Sequence, residues 1–108
     1  MMGYQLNFYT LHNREYQHHP IADWLIETAQ EIGISGATVV HGDASYGSDG
    51  RIHSARFFEQ AEQPMIVVMV VTDVQCDKIL ELVQATGLKI FYTRARVEYG
   101  YTNGYQKA

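Results

Sequence analysis

Two runs decide the fold, Gly36-Ala37-Thr38-Val39-Val40-His41-Gly42 and, further along, Pro64-Met65-Ile66-Val67-Val68-Met69-Val70-Val71. The first is a short apolar segment set between glycines, which reads as a strand over Ala37–Val40. The second is apolar at every position. As a strand it has two faces to bury, where an antiparallel strand usually leaves one face to water. Between them His41–Arg51 is polar and holds Gly42, Gly47 and Gly50 with Asp43, Ser45, Ser48 and Asp49. That composition predicts an exposed, flexible loop over residues 41–51. Ile52–Phe58 fits a short helix or an irregular strand, and Glu59–Gln63 fits a turn.

Working outward, an amphipathic helix precedes this stretch and another follows it. Pro20 suits a first helical turn, where its missing N–H costs nothing. Ile21, Ala22, Leu25, Ile26, Ala29 and Ile32 then form one stripe, and Gly33 suits the left-handed stop. After the apolar run, Thr72 is a helix cap with Asp73 in the first turn. Cys76, Ile79, Leu80 and Val83 make the buried stripe, and Gly87 ends it. Tyr4–Leu11 alternates Tyr4, Leu6 and Phe8 with Gln5, Asn7 and Tyr9, the period of a strand with one buried face. His12–His19 has no period and reads as loop. Lys89–Tyr99 alternates again, and the segment from Gly100 to Ala108 is frayed or pinned to a neighbour. The order β-α-β-β-α-β predicts an α+β, ferredoxin-like domain over residues 1–108: a four-stranded antiparallel sheet with two helices on one face. Two helices cover only one face of Met65–Val71. The other face calls for a second subunit, and a homo-oligomer supplies it by symmetry.

Composition narrows the classes. Hydrophobic residues make up 46% of the 108 and charged residues 19%, so surface is left to bury against a partner. The net charge of −4 argues against a general nucleic-acid binder, which needs positive surface to displace counterions. The single cysteine, Cys76, rules out an internal disulfide and a thiolate cluster. Pro64–Val71 is far shorter than the roughly 20 residues of a membrane span. No basic and apolar leader is visible at Met1–Gln5, so the chain reads as a soluble, cytoplasmic protein with no membrane insertion.

The residues also carry a family resemblance. Gly36–Gly42, Tyr46-Gly47, Ile52-His53-Ser54-Ala55-Arg56 and Pro64 leading into an apolar strand resemble the PII-like family (domain of unknown function 190) and, more distantly, the nitrogen regulatory PII proteins. The resemblance implies a homotrimeric signalling protein that is not an enzyme. It also implies adenine nucleotides (ATP, ADP or AMP) in clefts between subunits. The loop after the second strand would then engage a regulated enzyme or a membrane transporter, through His41, Asp43, Ser45, Ser48, Asp49 and Arg51. Thr86-Gly87-Leu88-Lys89-Ile90-Phe91 resembles a shortened phosphate-binding loop of the classical proteins. Two positions depart from the pattern: His41 stands where a basic Arg or Lys is usual, and Ser45 where a glycine is.

Each candidate residue has an ordinary reading beside the functional one. Gly42, Tyr46 and Gly47 can present backbone amides to an anion, or simply shape a turn. Lys89, Arg56, Arg94 and Arg96 can neutralise phosphate. Arg94 and Arg96 share a strand face, which also suits a solvated face or an inter-subunit ion pair. His12, His18, His19, His41 and His53 show no metal-binding spacing, although a trimeric metal-binding protein is an alternative on this architecture. Cys76 on a buried stripe reads as a small hydrophobe rather than a nucleophile. A structural or protein-interaction module without nucleotide is the other alternative.

Overall fold

The alternation at the start of the chain produces β1 (Met2–Leu11), with Leu6 and Phe8 fully buried on one face. The computed structural model describes residues 1–46, 52–54 and 63–107. After β1 come β2 (Glu15–Tyr16), β3 (His19–Pro20), α1 (Ile21–Glu31), β4 (Thr38–His41), β5 (Ala44–Tyr46) and β6 (Ile52–Ser54). These are followed by β7 (Pro64–Val71), α2 (Asp73–Ala85), β8 (Phe91–Glu98) and a 3-10 turn at Thr102–Gly104. The main sheet has the order β4-β7-β1-β8, and its pairs are antiparallel. This is the ferredoxin-like arrangement, with both helices on one face.

The helix stripes behave as their spacing requires. Ile21, Ala22, Leu25 and Ala29 of α1 and Cys76, Ile79 and Val83 of α2 close over Leu6, Phe8, Val67, Met69 and Val71. Thr28 joins the buried side of α1 through a position the apolar pattern does not mark. Gly33 and Gly87 end the two helices with φ of 84° and 76°, the left-handed region in which a Cβ is costly. At the other end of α2, the Thr72 hydroxyl accepts from the Gln75 N–H while the Gln75 side chain accepts from the Thr72 N–H. That reciprocal pair is a capping box.

Three segments differ from the sequence reading. Residues 12–19 contain a two-stranded ribbon, with Glu15 opposite Pro20 and Tyr16 opposite His19. Its turn puts Gln17 (φ 50°) and His18 (φ 67°) in the left-handed region, which a pattern search expects only of Gly or Asn. The polar stretch after β4 is partly strand. β5 and β6 form a separate antiparallel pair with Ala44 opposite Ser54 and Tyr46 opposite Ile52. The strand alternative for residues 52–58 therefore holds over Ile52–Ser54. The turn expected at Glu59–Gln63 lies outside the described residues except for Gln63. The C-terminal segment runs past Gly3, where an added Cβ would sit 2.2 Å from the Val71 carbonyl oxygen and 2.9 Å from the Tyr99 ring.

Candidate functional site

The antiparallel register brings the end of β1, the end of β4, the start of β7 and the start of β8 to one rim. His41 pairs with Met65, Met65 with Thr10, and Tyr9 with Phe91. Gly42 and Lys89, both singled out as anion contacts, therefore lie at the same rim. They occupy opposite edges of the sheet, however, with two strands between them. Three inter-strand spacings of about 4.8 Å separate them by roughly 14 Å within one chain.

The Gly42 amide is already engaged, donating to the Pro64 carbonyl at 2.8 Å. A Cβ at this position would meet the Pro64 ring at 3.3 Å. Gly42 thus serves close packing against β7, and its N–H is not the free donor that an anion nest requires. His41 and Asp43 are exposed beside it. Tyr46 lies on β5 and Ser45 pairs with His53 across the ribbon. Gly47, Ser48, Asp49, Arg51 and Arg56 lie outside the described residues.

Lys89 is exposed just ahead of β8. Its carbonyl accepts a hydrogen bond from Arg14 Nη2 at 3.0 Å, which holds the Arg14 guanidinium against the Lys89 backbone. Arg14 sits in an aperiodic stretch with no motif around it, and nothing in the sequence marked it. The guanidinium is steered there by the β1–β2 connection, in which the Arg14 N–H donates to Leu11 and the Arg14 carbonyl accepts from Ile21.

A second cationic cluster stands farther along β8. Arg94 and Arg96 point to the helix side and flank the Tyr4 ring, at 4.9 and 5.0 Å from its centroid. Arg96 is paired with Asp73 in the first turn of α2, and Arg94 Nη1 lies 3.8 Å from the buried Cys76 sulfur. Both guanidinium pKa values are raised. The hydrogen bond to Cys76 is the largest cause for Arg94, and that to Asp73 for Arg96. The sequence reading offers an inter-subunit ion pair for this strand face; the pair found here, Arg96 with Asp73, is made within one chain and ties β8 to α2. Five residues of strand put Arg94 about 17 Å from Lys89, so one phosphate group cannot touch both.

The face away from the helices is apolar with a polar seam. Val40, Ile66, Val68, Val70 and Phe91 share it with Gln5, Asn7, Tyr9 and Thr93. Asn7 Nδ2 donates to Thr93 Oγ1 at 3.1 Å, while Asn7 Oδ1 is buried without a partner. Phe91 is 68% exposed, and every β8 residue but Val97 is exposed. His12, His18, His19 and His41 are exposed. Among the described residues, no group of three or more His, Cys, Asp or Glu is placed to hold a metal ion. No helix among the described residues is long and apolar enough to cross a membrane.

This architecture and its sequence lead to a family. The model of the DUF190 family, described as "Uncharacterized ACR", matches residues 3–99, and the chain belongs to that PII-like family. A UPF0166 protein of Aquifex aeolicus is 27% identical over 77 residues, covering 70% of this chain and 73% of the relative. Among solved structures, a nitrogen regulatory PII-like protein of Thiomonas intermedia, CPII, superposes with a TM-score of 0.69 at 16% identity. The match covers 94% of this chain and 91% of the other, and that protein was solved bound to ADP, AMP and bicarbonate. A PII-like signalling protein of Thermus thermophilus superposes at 0.66 with 14% identity, covering 90% and 88%. At these identities the two structures establish the shared fold.

Proposed function

We propose that the chain is a single-domain regulatory protein, not a catalyst, that forms a homotrimer and senses an adenine nucleotide in the clefts between its subunits. The observation that carries this reading is the corner formed by Lys89 and Arg14. It lies on a free sheet edge, at the rim from which segment 41–51 departs, yet roughly 14 Å from that segment's root in the same chain. A second copy brings one subunit's β4 edge to another's β8 edge and closes the gap. The exposed apolar face of β4, β7 and β8 provides the association surface. Charge-assisted contacts from Lys89 and Arg14 then hold the phosphates despite the net charge of −4, because local field rather than total charge governs an ion in a cleft. CPII, solved with ADP and AMP, supports this ligand class. Segment 41–51 would carry the signal to a regulated enzyme or transporter through His41, Asp43, Ser45, Ser48, Asp49 and Arg51, with Tyr46 and Gly47 as candidate ligand contacts. On this reading the protein works in the cytoplasm.

Isothermal titration of ATP, ADP, AMP and cyclic AMP, on protein whose mass is fixed by analytical ultracentrifugation, tests the reading. Three chains per particle and saturable binding of at least one nucleotide are expected. Lys89→Ala should weaken that binding about ten- to a hundredfold, the scale of one charge-assisted contact. A trimer that binds none of the four would leave an interaction module in its place. Binding that survives Lys89→Ala and falls with Arg94→Ala would move the phosphates to the second cluster.

A further inference from the structure

The ladder between β4 and β7 stops short of the end of β7. Gly42 donates its N–H to the Pro64 carbonyl, so Pro64 and every second residue after it turn their backbone groups toward β4. The pairs Val40–Ile66 and Thr38–Val68 continue that ladder, and the next would join Gly36 to Val70. That pair is not made. Among the described residues neither Gly36 nor Val70 has a backbone partner across the fork, and a Cβ built on Gly36 meets nothing within 4 Å.

The fork surrounds a slot of about 360 Å³. Ala37, Val68 and Val70 give it apolar walls, while Ser35 and Thr38 bring hydroxyls. The unmade pair adds a backbone donor and acceptor from each strand. Thr38, Val68 and Val70 belong to the sheet face that the helices leave bare, so the slot is continuous with the association surface proposed above.

The segment after β8 is its counterpart. Tyr101 lines this chain's own slot, and the 3-10 turn at Thr102–Gly104 follows, with residues 102–107 exposed. Tyr105 is 78% exposed on extended backbone (φ −65°, ψ 133°), where its N–H donates to the Thr102 carbonyl at 3.2 Å. An aromatic ring presented on backbone already fixed by a turn loses little freedom when it docks.

We propose that Tyr105 of one copy seats in the slot of the next, so that the C-terminal segments latch the homotrimer. The latch rests on the homotrimer reading and gives that assembly its direction. Tyrosine has an apolar body and a polar tip, which suits apolar walls that carry hydroxyls and unpaired backbone groups. The exposure of Tyr105 in its own subunit leaves the ring free for a neighbour. Slot and tyrosine are different surfaces, so the contact runs head to tail. Such a contact closes a ring when its rotation allows, and in a closed ring every slot is filled and every Tyr105 covered. Aromatic anchors seated in pockets are the residues that dominate interface energies.

Analytical ultracentrifugation over a dilution series, on wild type and Tyr105→Ala, tests the latch. Tyr105→Ala should raise the concentration at which the trimer dissociates at least about tenfold, the scale of one aromatic anchor. Its circular dichroism and the urea midpoint of the subunit should stay at wild-type values, because the ring is exposed within its own subunit. A second variant keeps the tyrosine: Gly36→Cys with Gln106→Cys, oxidised and run on a non-reducing gel. Cys76 is buried and stays out of the reaction. Covalent dimers and trimers are expected from the double variant and not from either single one. A trimer whose dilution curve is unaltered by Tyr105→Ala would overturn the latch and leave the homotrimer reading standing. Crosslinks formed only within one chain would do the same. A wild-type protein that is monomeric throughout the series would overturn the homotrimer reading, and the latch with it.

Discussion

The two faces of the central sheet are built from the same strands and have opposite fates. On the helix side Leu6, Phe8, Val67 and Val71 are sealed to within a percent of complete burial. On the other side Val40, Val70 and Phe91 are 45%, 36% and 68% exposed. Residue type does not explain the difference, since valine occupies both faces of β7. What differs is the cover: two amphipathic helices on one side, and on the other, among the described residues, the segment after β8, which brings Tyr101 beside Thr38, Val68 and Val70. The comparison teaches that one strand can present two faces with different fates, the fold resting on one and the other left open to the association proposed above.

The sharpest way to break the comparison is to damage each face in turn. Phe8→Ala empties the most voluminous fully buried side chain and should cost about 3–5 kcal/mol, read as a large drop in the urea midpoint. Phe91→Glu on the other face should leave the subunit folded by circular dichroism, while ultracentrifugation shows the trimer dissociating. A Phe91→Glu protein that unfolds would mean that the two faces are not separable. Thr72→Ala removes half of the capping box on α2 and should cost about 1 kcal/mol by denaturation, with assembly unchanged. The smallest effect belongs to Arg96→Ala. Its pair with Asp73 is exposed at both partners and open to screening, so the melting temperature should stay at the wild-type value. The pH profile should also show no alkaline step from this residue. Its raised pKa means that any stabilisation is full below the ordinary guanidinium range and fades only above it.

Legibility in the sequence followed the same division. The helices were readable because apolar residues recur every three or four positions between Pro20 and Gly33 and between Thr72 and Gly87. The β2–β3 ribbon was not, because its turn rests on Gln17 and His18, residues that carry no turn signal. β5 was hidden by polarity: a strand paired outside the core needs no apolar alternation. At the candidate site, the sequence singles out Lys89 through the residues around it, and Arg14 has no such neighbours. Gly42 shows the limit of reading a glycine from sequence. The residue type says that the backbone can be approached closely, and only the fold says that the approaching group is Pro64 rather than a ligand.

Cys76 offers a use that its packing did not suggest. It is the one thiol in the chain, it is fully buried beneath α2, and Arg94 lies over its sulfur. A thiol reagent can reach it only when α2 lifts from the sheet, so the labelling rate is a clock for that opening. Run with and without nucleotide, the same clock reads how firmly a bound nucleotide clamps the helix layer, with no residue substituted.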